Sequence, residues 1–170
     1  TPMYISNHCI NRCIYCGYNI ANKKIARKKL SYDEIEHEAK FISERGMKHI
    51  LLLTGESPTD CSMEYICKSV DILSNHFNSI GIEIYPMDTV DYTKVISSGV
   101  TGLTVYQETY DEKVYDNVHI SGPKKDFLYR LDAPERGCLA GMREVNIGAL
   151  LGLSNPLLDA FYTGIHGEYL

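Results

Sequence analysis

Short apolar runs and longer amphipathic segments alternate five times along this chain, and that alternation restricts its fold more than any single motif. The runs MYIS (residues 3–6), HILLL (49–53), IEIY (82–85), LTVY (103–106) and VNIGAL (145–150) read as buried strands. Between the first two, SYDEIEHEAKFISER (31–45) opens on an N-cap serine with Glu34 three positions on. It carries Ile35, Ala39 and Ile42 on one face and meets Gly46 just past its end, the pattern of a capped amphipathic helix. Further helices are expected over 63–77 and 92–98, mostly over 124–140 with an interruption near Pro134, and from Pro156 to residue 169. No hairpin signal, fixed-period repeat or low-complexity linker breaks the alternation, which predicts a parallel α/β architecture. An eight-stranded barrel typically needs roughly 250 residues. Five units therefore read as the N-terminal part of a parallel (β/α) TIM-type barrel, residues 1–170 forming a partial barrel domain whose remainder lies beyond Leu170. An open doubly wound sheet is the competing arrangement. In a partial barrel the first and fifth strands would be unpaired edges, so marginal stability or association is expected.

Composition narrows the partners. The chain has 170 residues, 44% of them hydrophobic, enough for a real core, and a formal net charge of −5. That charge argues against a nucleic-acid surface and leaves small molecules or proteins. No apolar run approaches the roughly 20 residues of a membrane span, and the first residues lack the order of a signal peptide, so a cytoplasmic protein is expected. The chain opens on Thr1-Pro2-Met3 without an initiator methionine, so its start is expected to be a boundary or a cut.

Half of the six cysteines fall in CINRCIYC, as Cys9, Cys13 and Cys16 at the spacing C-x3-C-x2-C, just after the first strand. Clustered cysteines in a reducing compartment point to metal more than to disulfides. Three thiolates from one tight loop can each take one iron of a [4Fe–4S] cluster and leave the fourth iron for an exogenous ligand. The alternative is a non-catalytic zinc module recruiting His8 or His119, though neither has ligand spacing with the cysteines. Cys61, Cys67 and Cys138 are isolated and read as small buried residues.

C-x3-C-x2-C with the aromatic Tyr15 before its last cysteine resembles the signature of the radical S-adenosylmethionine enzymes, and the parallel α/β pattern agrees with it. The resemblance implies that S-adenosylmethionine chelates the open iron, and that the reduced cluster breaks its sulfonium carbon–sulfur bond to release a 5′-deoxyadenosyl radical. Thr54-Gly55-Glu56 ends the second strand, where that family places a glycine-glycine-glutamate motif for the methionine ammonium, Thr54 standing for the first glycine. In physical terms Gly55 permits close backbone approach, and the Glu56 carboxylate can take a charge-assisted hydrogen bond from an amine. Glu108, in QETY at the end of the fourth strand, can hydrogen-bond ribose hydroxyls or an ammonium, and Arg130 can clamp a carboxylate. A mutual Glu108–Arg130 salt bridge is the competing reading for that pair. Tyr15, Gly55, Glu56, Glu108 and Arg130 are thus the candidate cofactor contacts. Gly148-Ala149-Leu150 could offer a small-residue platform for adenine or simply pack.

YISNHCINRCIYCGY, LLLTGE, VYQETY, FLYRLDAPERGCLAG and IGALLGL together are similar to the aromatic-amino-acid lyase branch, most of all to the tyrosine lyases of thiamine biosynthesis, the 2-iminoacetate synthases. This likeness implies L-tyrosine as substrate, cleaved at Cα–Cβ to p-cresol and dehydroglycine (2-iminoacetate) for the thiazole of thiamine, with thiazole synthase a possible partner. A sibling family, the tyrosine lyases that mature [FeFe] hydrogenase by making carbon monoxide and cyanide, shares the cysteine turn and QETY. The basic run Lys23, Lys24, Arg27, Lys28, Lys29 reads as a solvated loop or as a dock for an acidic electron donor, flavodoxin or ferredoxin.

Overall fold

The computed structural model describes residues 1–170. Five strands form one parallel sheet: β1 (Pro2–Ser6), β3 (His49–Thr54), β4 (Ser79–Glu83), β5 (Gly102–Glu108) and β7 (Glu144–Ala149), side by side in chain order. The order never reverses, so the sheet lacks the switch point of a doubly wound fold, and the barrel-type expectation holds. The connecting helices are α1 (Tyr32–Ser43), α2 (Met63–Ser74), α3 (Thr89–Ser97) and the pair α5 (Phe127–Leu131) and α6 (Ala133–Leu139), with α7 (Pro156–Tyr169) after the last strand.

Side-chain alternation along the strands separates two faces. Met3, Ile5, Ile50, Leu52, Ile80, Ile82, Leu103 and Val105 point into one core with Ile35, Ala39, Ile66, Val70, Leu73, Tyr92, Val95 and Ala133 from the helices. Tyr4, Leu53 and Glu83, out of phase with them, line a cavity on the other face. Helices pack on one side of the sheet and polar function gathers on the other, as in a sector of a barrel.

The helix starts follow their sequence signals. Ser31 and Glu34 form a complete capping box on α1, with Glu34 N–H donating to Ser31 Oγ at 3.2 Å and Ser31 N–H to the Glu34 carboxylate at 2.8 Å. The mostly helical stretch expected over 124–140 is a 3₁₀ turn (Pro123–Lys125) and two short helices, and the interruption expected near Pro134 falls at Asp132. Pro134 itself sits in the first turn of α6, where its missing N–H is harmless.

Two elements escape the alternation pattern. A helix α4 (Glu112–Val118) follows β5, and a two-stranded antiparallel ribbon joins β2 (Arg12–Cys13) to β6 (His119–Ser121). The free side of β1 is partly covered, since Asn7 N–H donates to Lys28 O at 3.0 Å and Leu30 N–H to Ile5 O at 2.8 Å around a Ser6–Lys29 bridge. Exposed apolar side chains concentrate at the far edge: Leu151 is 71%, Leu157 80% and Phe161 63% exposed.

Leu52 is fully buried in the second strand of the sheet. Leu52→Ala is expected to lower unfolding free energy by about 2–5 kcal/mol, read from the shift in denaturant midpoint.

Candidate active site

Parallel strands bring all their C-terminal ends to one rim, and every candidate residue lies there. Cys9, Cys13, Cys16, Tyr15, Gly55, Glu56, Glu108 and Arg130 all line one cavity of about 180 Å³, together with Asn11, Glu83 and Lys124. Gly148–Leu150 do not line it. A Cβ on Gly148 would meet the Tyr106 ring at 3.3 Å, so this glycine serves packing.

The cysteine loop is held from several sides. Ile10 N–H donates to Glu56 O at 3.0 Å, and Ile14 N–H to Val118 O at 3.0 Å. Arg27 reaches in from the basic run, donating through Nη1 to Asn7 O (2.6 Å) and Tyr18 O (2.8 Å) and through Nη2 to Asn19 O (2.8 Å). Lys28 pairs with Glu34, and Lys29 donates to Asp60 O. Three of the five basic residues are therefore structural, which leaves Lys23 and Lys24 as free charges.

Gly55 is needed for a reason the motif alone does not give. A Cβ there would lie 2.3 Å from His8 O and 3.1 Å from Cys9 Cβ, so the glycine lets the cysteine loop itself sit down on the end of β3. Burial pushes the Cys13 thiol up to about 12 and raises Cys9 as well. Binding a metal must therefore release protons from this loop.

Asn11, between the first two cysteines and 1% exposed, ties the loop to the charged groups. Its Nδ2 donates to Glu56 Oε2 at 2.9 Å and its Oδ1 accepts the Lys124 N–H at 2.9 Å. Arg130 Nη1 donates to Glu56 Oε1 at 2.8 Å, and Lys124 Nζ to Glu108 Oε1 at 2.6 Å. The cross pairs are longer, Lys124–Glu56 at 3.6 Å and Arg130–Glu108 at 3.8 Å. The competing reading, a Glu108–Arg130 bridge, is thus present as the long diagonal of a four-membered network, and Arg130 belongs chiefly to Glu56. Burial opposes ionisation of Glu56, but Arg130, Lys124 and Asn11 hold its carboxyl below the usual range.

Glu108 is the only non-glycine residue with a left-handed backbone, at φ +71°, where the β5–β7 register shifts between Tyr106 and Glu108. That conformation costs on the order of 1 kcal/mol.

Tyr15 presents its ring to the cavity while its hydroxyl is 2.7 Å from His119 Nε2. His119 Nδ1 lies 2.8 Å from the Tyr115 carbonyl, which can only accept. Nδ1 therefore carries the proton, and Tyr15 donates to Nε2. Both ring nitrogens are used, so His119 is not free to complete a zinc site. His8 instead faces Asp60 at 3.4 Å. No three His, Cys, Asp or Glu side chains converge on one point.

Asn11, Lys124 and Glu83 were not marked by sequence. Glu83 had a signal, a lone charge inside the apolar run IEIY; the other two had none.

The family model described as Radical SAM superfamily matches residues 3–156. The chain belongs to the radical SAM superfamily. It is 39% identical over 166 residues, 97% of the chain, to the 2-iminoacetate synthase of Escherichia coli (strain K12), and 29% identical over 160 residues to the 3-methylornithine synthase of Methanosarcina acetivorans. It spans 44% and 43% of those relatives' own lengths. Among solved structures it superposes on the FeFe-hydrogenase maturase HydG from Carboxydothermus hydrogenoformans with a TM-score of 0.96 at 37% identity, covering 100% of this chain and 40% of that one. Radical SAM membership implies a [4Fe–4S] cluster and S-adenosylmethionine, and a cavity edged by three cysteines and an ion network fits that pair.

Two measurements check the site. Gly55→Ala is expected to abolish cluster incorporation, seen as iron per chain falling to background, while far-UV circular dichroism stays near wild type. In the metal-free chain, burial pushes His119 down to about 4 from an ordinary 6.5. The folded chain then refuses a proton that the unfolded chain accepts, so His119 drains stability as pH falls from 6.5 to about 4. The slope of unfolding free energy against pH in that window is expected to be shallower in His119→Gln.

Proposed function

We propose that the chain is the cofactor-binding part of a radical S-adenosylmethionine lyase that breaks the Cα–Cβ bond of L-tyrosine, giving 2-iminoacetate and p-cresol for the thiazole of thiamine. The observation that carries this reading is one cavity lined by Cys9, Cys13 and Cys16 on one side and the Glu56–Arg130 and Glu108–Lys124 pairs on the other, in a chain 39% identical to a 2-iminoacetate synthase.

In this reading Cys9, Cys13 and Cys16 would hold the cluster, which with bound S-adenosylmethionine would supply one-electron radical chemistry. The chain's own residues bind and orient. Glu56, kept ionised by its cations, accepts from the methionine ammonium, and Arg130 and Lys124 answer the carboxylate. Glu108 takes ribose hydroxyls. The Tyr15 ring, pinned by His119, walls the cavity and keeps water from its radical-generating end. Lys23 and Lys24 supply positive charge for flavodoxin or ferredoxin, and thiazole synthase would receive the 2-iminoacetate. The setting is cytoplasmic; no helix is long and apolar enough to cross a membrane.

The superposition on HydG favours a second reading, a lyase of hydrogenase maturation that goes on to carbon monoxide and cyanide. Anaerobic reconstitution with iron and sulfide, followed by S-adenosylmethionine, dithionite and tyrosine, tests both. The proposal expects 5′-deoxyadenosine from this chain, reduced to background by Cys13→Ala, and tyrosine-dependent p-cresol from the protein that carries the whole barrel. Carbon monoxide and cyanide would move the assignment to the second reading, and cofactor cleavage surviving in Cys13→Ala would remove the cluster ligands from both.

A further inference from the structure

Asp159, in the first turn of α7, is fully buried, yet it is not part of the cavity lining. Its Oδ1 accepts two hydrogen bonds, from Thr109 Oγ1 at 3.0 Å and from the Tyr110 N–H at 2.8 Å. Its Oδ2 has no partner. A buried carboxylate left half-satisfied is unfavourable, so the contacts it does make need a reason.

The two groups it grips directly follow Glu108. Thr109, itself fully buried, also accepts the Asp111 N–H at 3.2 Å, and the Leu150 N–H holds the Glu108 carbonyl at 2.7 Å. Glu108 thus takes its left-handed backbone with its carbonyl fixed by the residue just after β7 and the next two residues fixed from α7. A conformation of that kind persists only where its surroundings over-determine it.

We propose that Asp159 is a positioning residue: acting through Thr109 and Tyr110, it locks the left-handed turn at Glu108 and so aims the Glu108 carboxylate into the cofactor cavity. The inference rests on reading that cavity as the S-adenosylmethionine site. Both hydrogen bonds use one oxygen, so the requirement is an acceptor at Oδ1 and not a negative charge. Asparagine can supply it; alanine cannot.

The test uses the full chain with its cluster reconstituted and S-adenosylmethionine affinity read from the change in the reduced cluster's electron paramagnetic resonance spectrum. Asp159→Ala is expected to weaken binding about tenfold at unchanged iron content, and Asp159→Asn to stay within about threefold of wild type. In a Glu108→Ala background, Asp159→Ala is expected to add nothing, because the path it acts through is gone. Wild-type affinity in Asp159→Ala, no rescue by asparagine, or losses that add in the double variant would each overturn the proposal. If Asp159→Ala does not fold, Thr109→Val, which removes only the hydroxyl donor, takes its place with the same expected loss. Amide hydrogen exchange at Tyr110 reads the clamp without any cofactor: faster exchange in Asp159→Ala and near-wild-type exchange in Asp159→Asn support it, and unchanged exchange in both refutes it. A wild-type chain that carries its cluster but binds no S-adenosylmethionine would refute the functional reading, while Tyr110 exchange still decides the clamp.

Discussion

The interaction on which this site depends is the buried ion network of Glu56, Arg130, Lys124 and Glu108. Its members come from the end of β3, the end of β5 and the long excursion between β5 and β7, and Asn11 adds the cysteine loop. Four charges lose much of their hydration here, and such groups persist only when each finds its opposite in good geometry. Removing one partner typically costs about 3–5 kcal/mol, chiefly because a charge is stranded. The network therefore ties segments more than a hundred residues apart to one another. The Arg130 Nε–H, donating to Tyr106 O at 2.7 Å, anchors it in turn to the sheet.

The excursion between β5 and β7 shows where sequence reading succeeds and where it stops. Strand and helix periodicity record burial against the core, and the five strands, α1 and the fold class are legible because they follow it. The β2–β6 ribbon is not, because its strands are two and three residues long and their partners lie about a hundred residues apart along the chain. Nothing local marks Arg12-Cys13 and His119-Ile120-Ser121 as partners. The same distance hides Lys124: a lysine after Gly-Pro reads as solvated until the ribbon carries it under Glu108. The motif residues Cys9, Cys13, Cys16 and Glu56 were legible because spacing along the chain already implied a shared loop or strand end.

Gly55 and Gly122 make the ribbon's closure possible from its two sides. A Cβ at Gly122 would fall 2.4 Å from Asn11 Oδ1 and 2.8 Å from Asn11 Cα, and its φ of +99° suits glycine alone. The turn after β6 thus lies flat against the cysteine loop, as that loop lies flat against Gly55. Missing side chains at two points allow three backbones to stack, and only then can Asn11 reach Glu56 with one end and Lys124 with the other. The cysteine loop is shaped by steric absence as much as by hydrogen bonds.

Glu56 and Glu83 occupy neighbouring strand ends on the same rim, and their carboxyls move in opposite directions. Both are penalised by burial. Glu56 has Arg130 at 2.8 Å and Asn11 at 2.9 Å, so its ionised form wins. Glu83 forms no ion pair; burial and then the nearby Glu108 charge raise it, against a weaker pull from Lys124 and Arg130. The two cations are already spent on the two other carboxylates, and it is their placement, not the rim itself, that separates the pair. The cavity consequently offers a carboxylate that accepts and a carboxyl that more readily keeps its proton, side by side and set by environment alone. Under the proposed function the four-charge network, neutral as a whole, suits a cofactor bearing an ammonium and a carboxylate, since it can exchange internal partners for those of a zwitterion without changing its net charge.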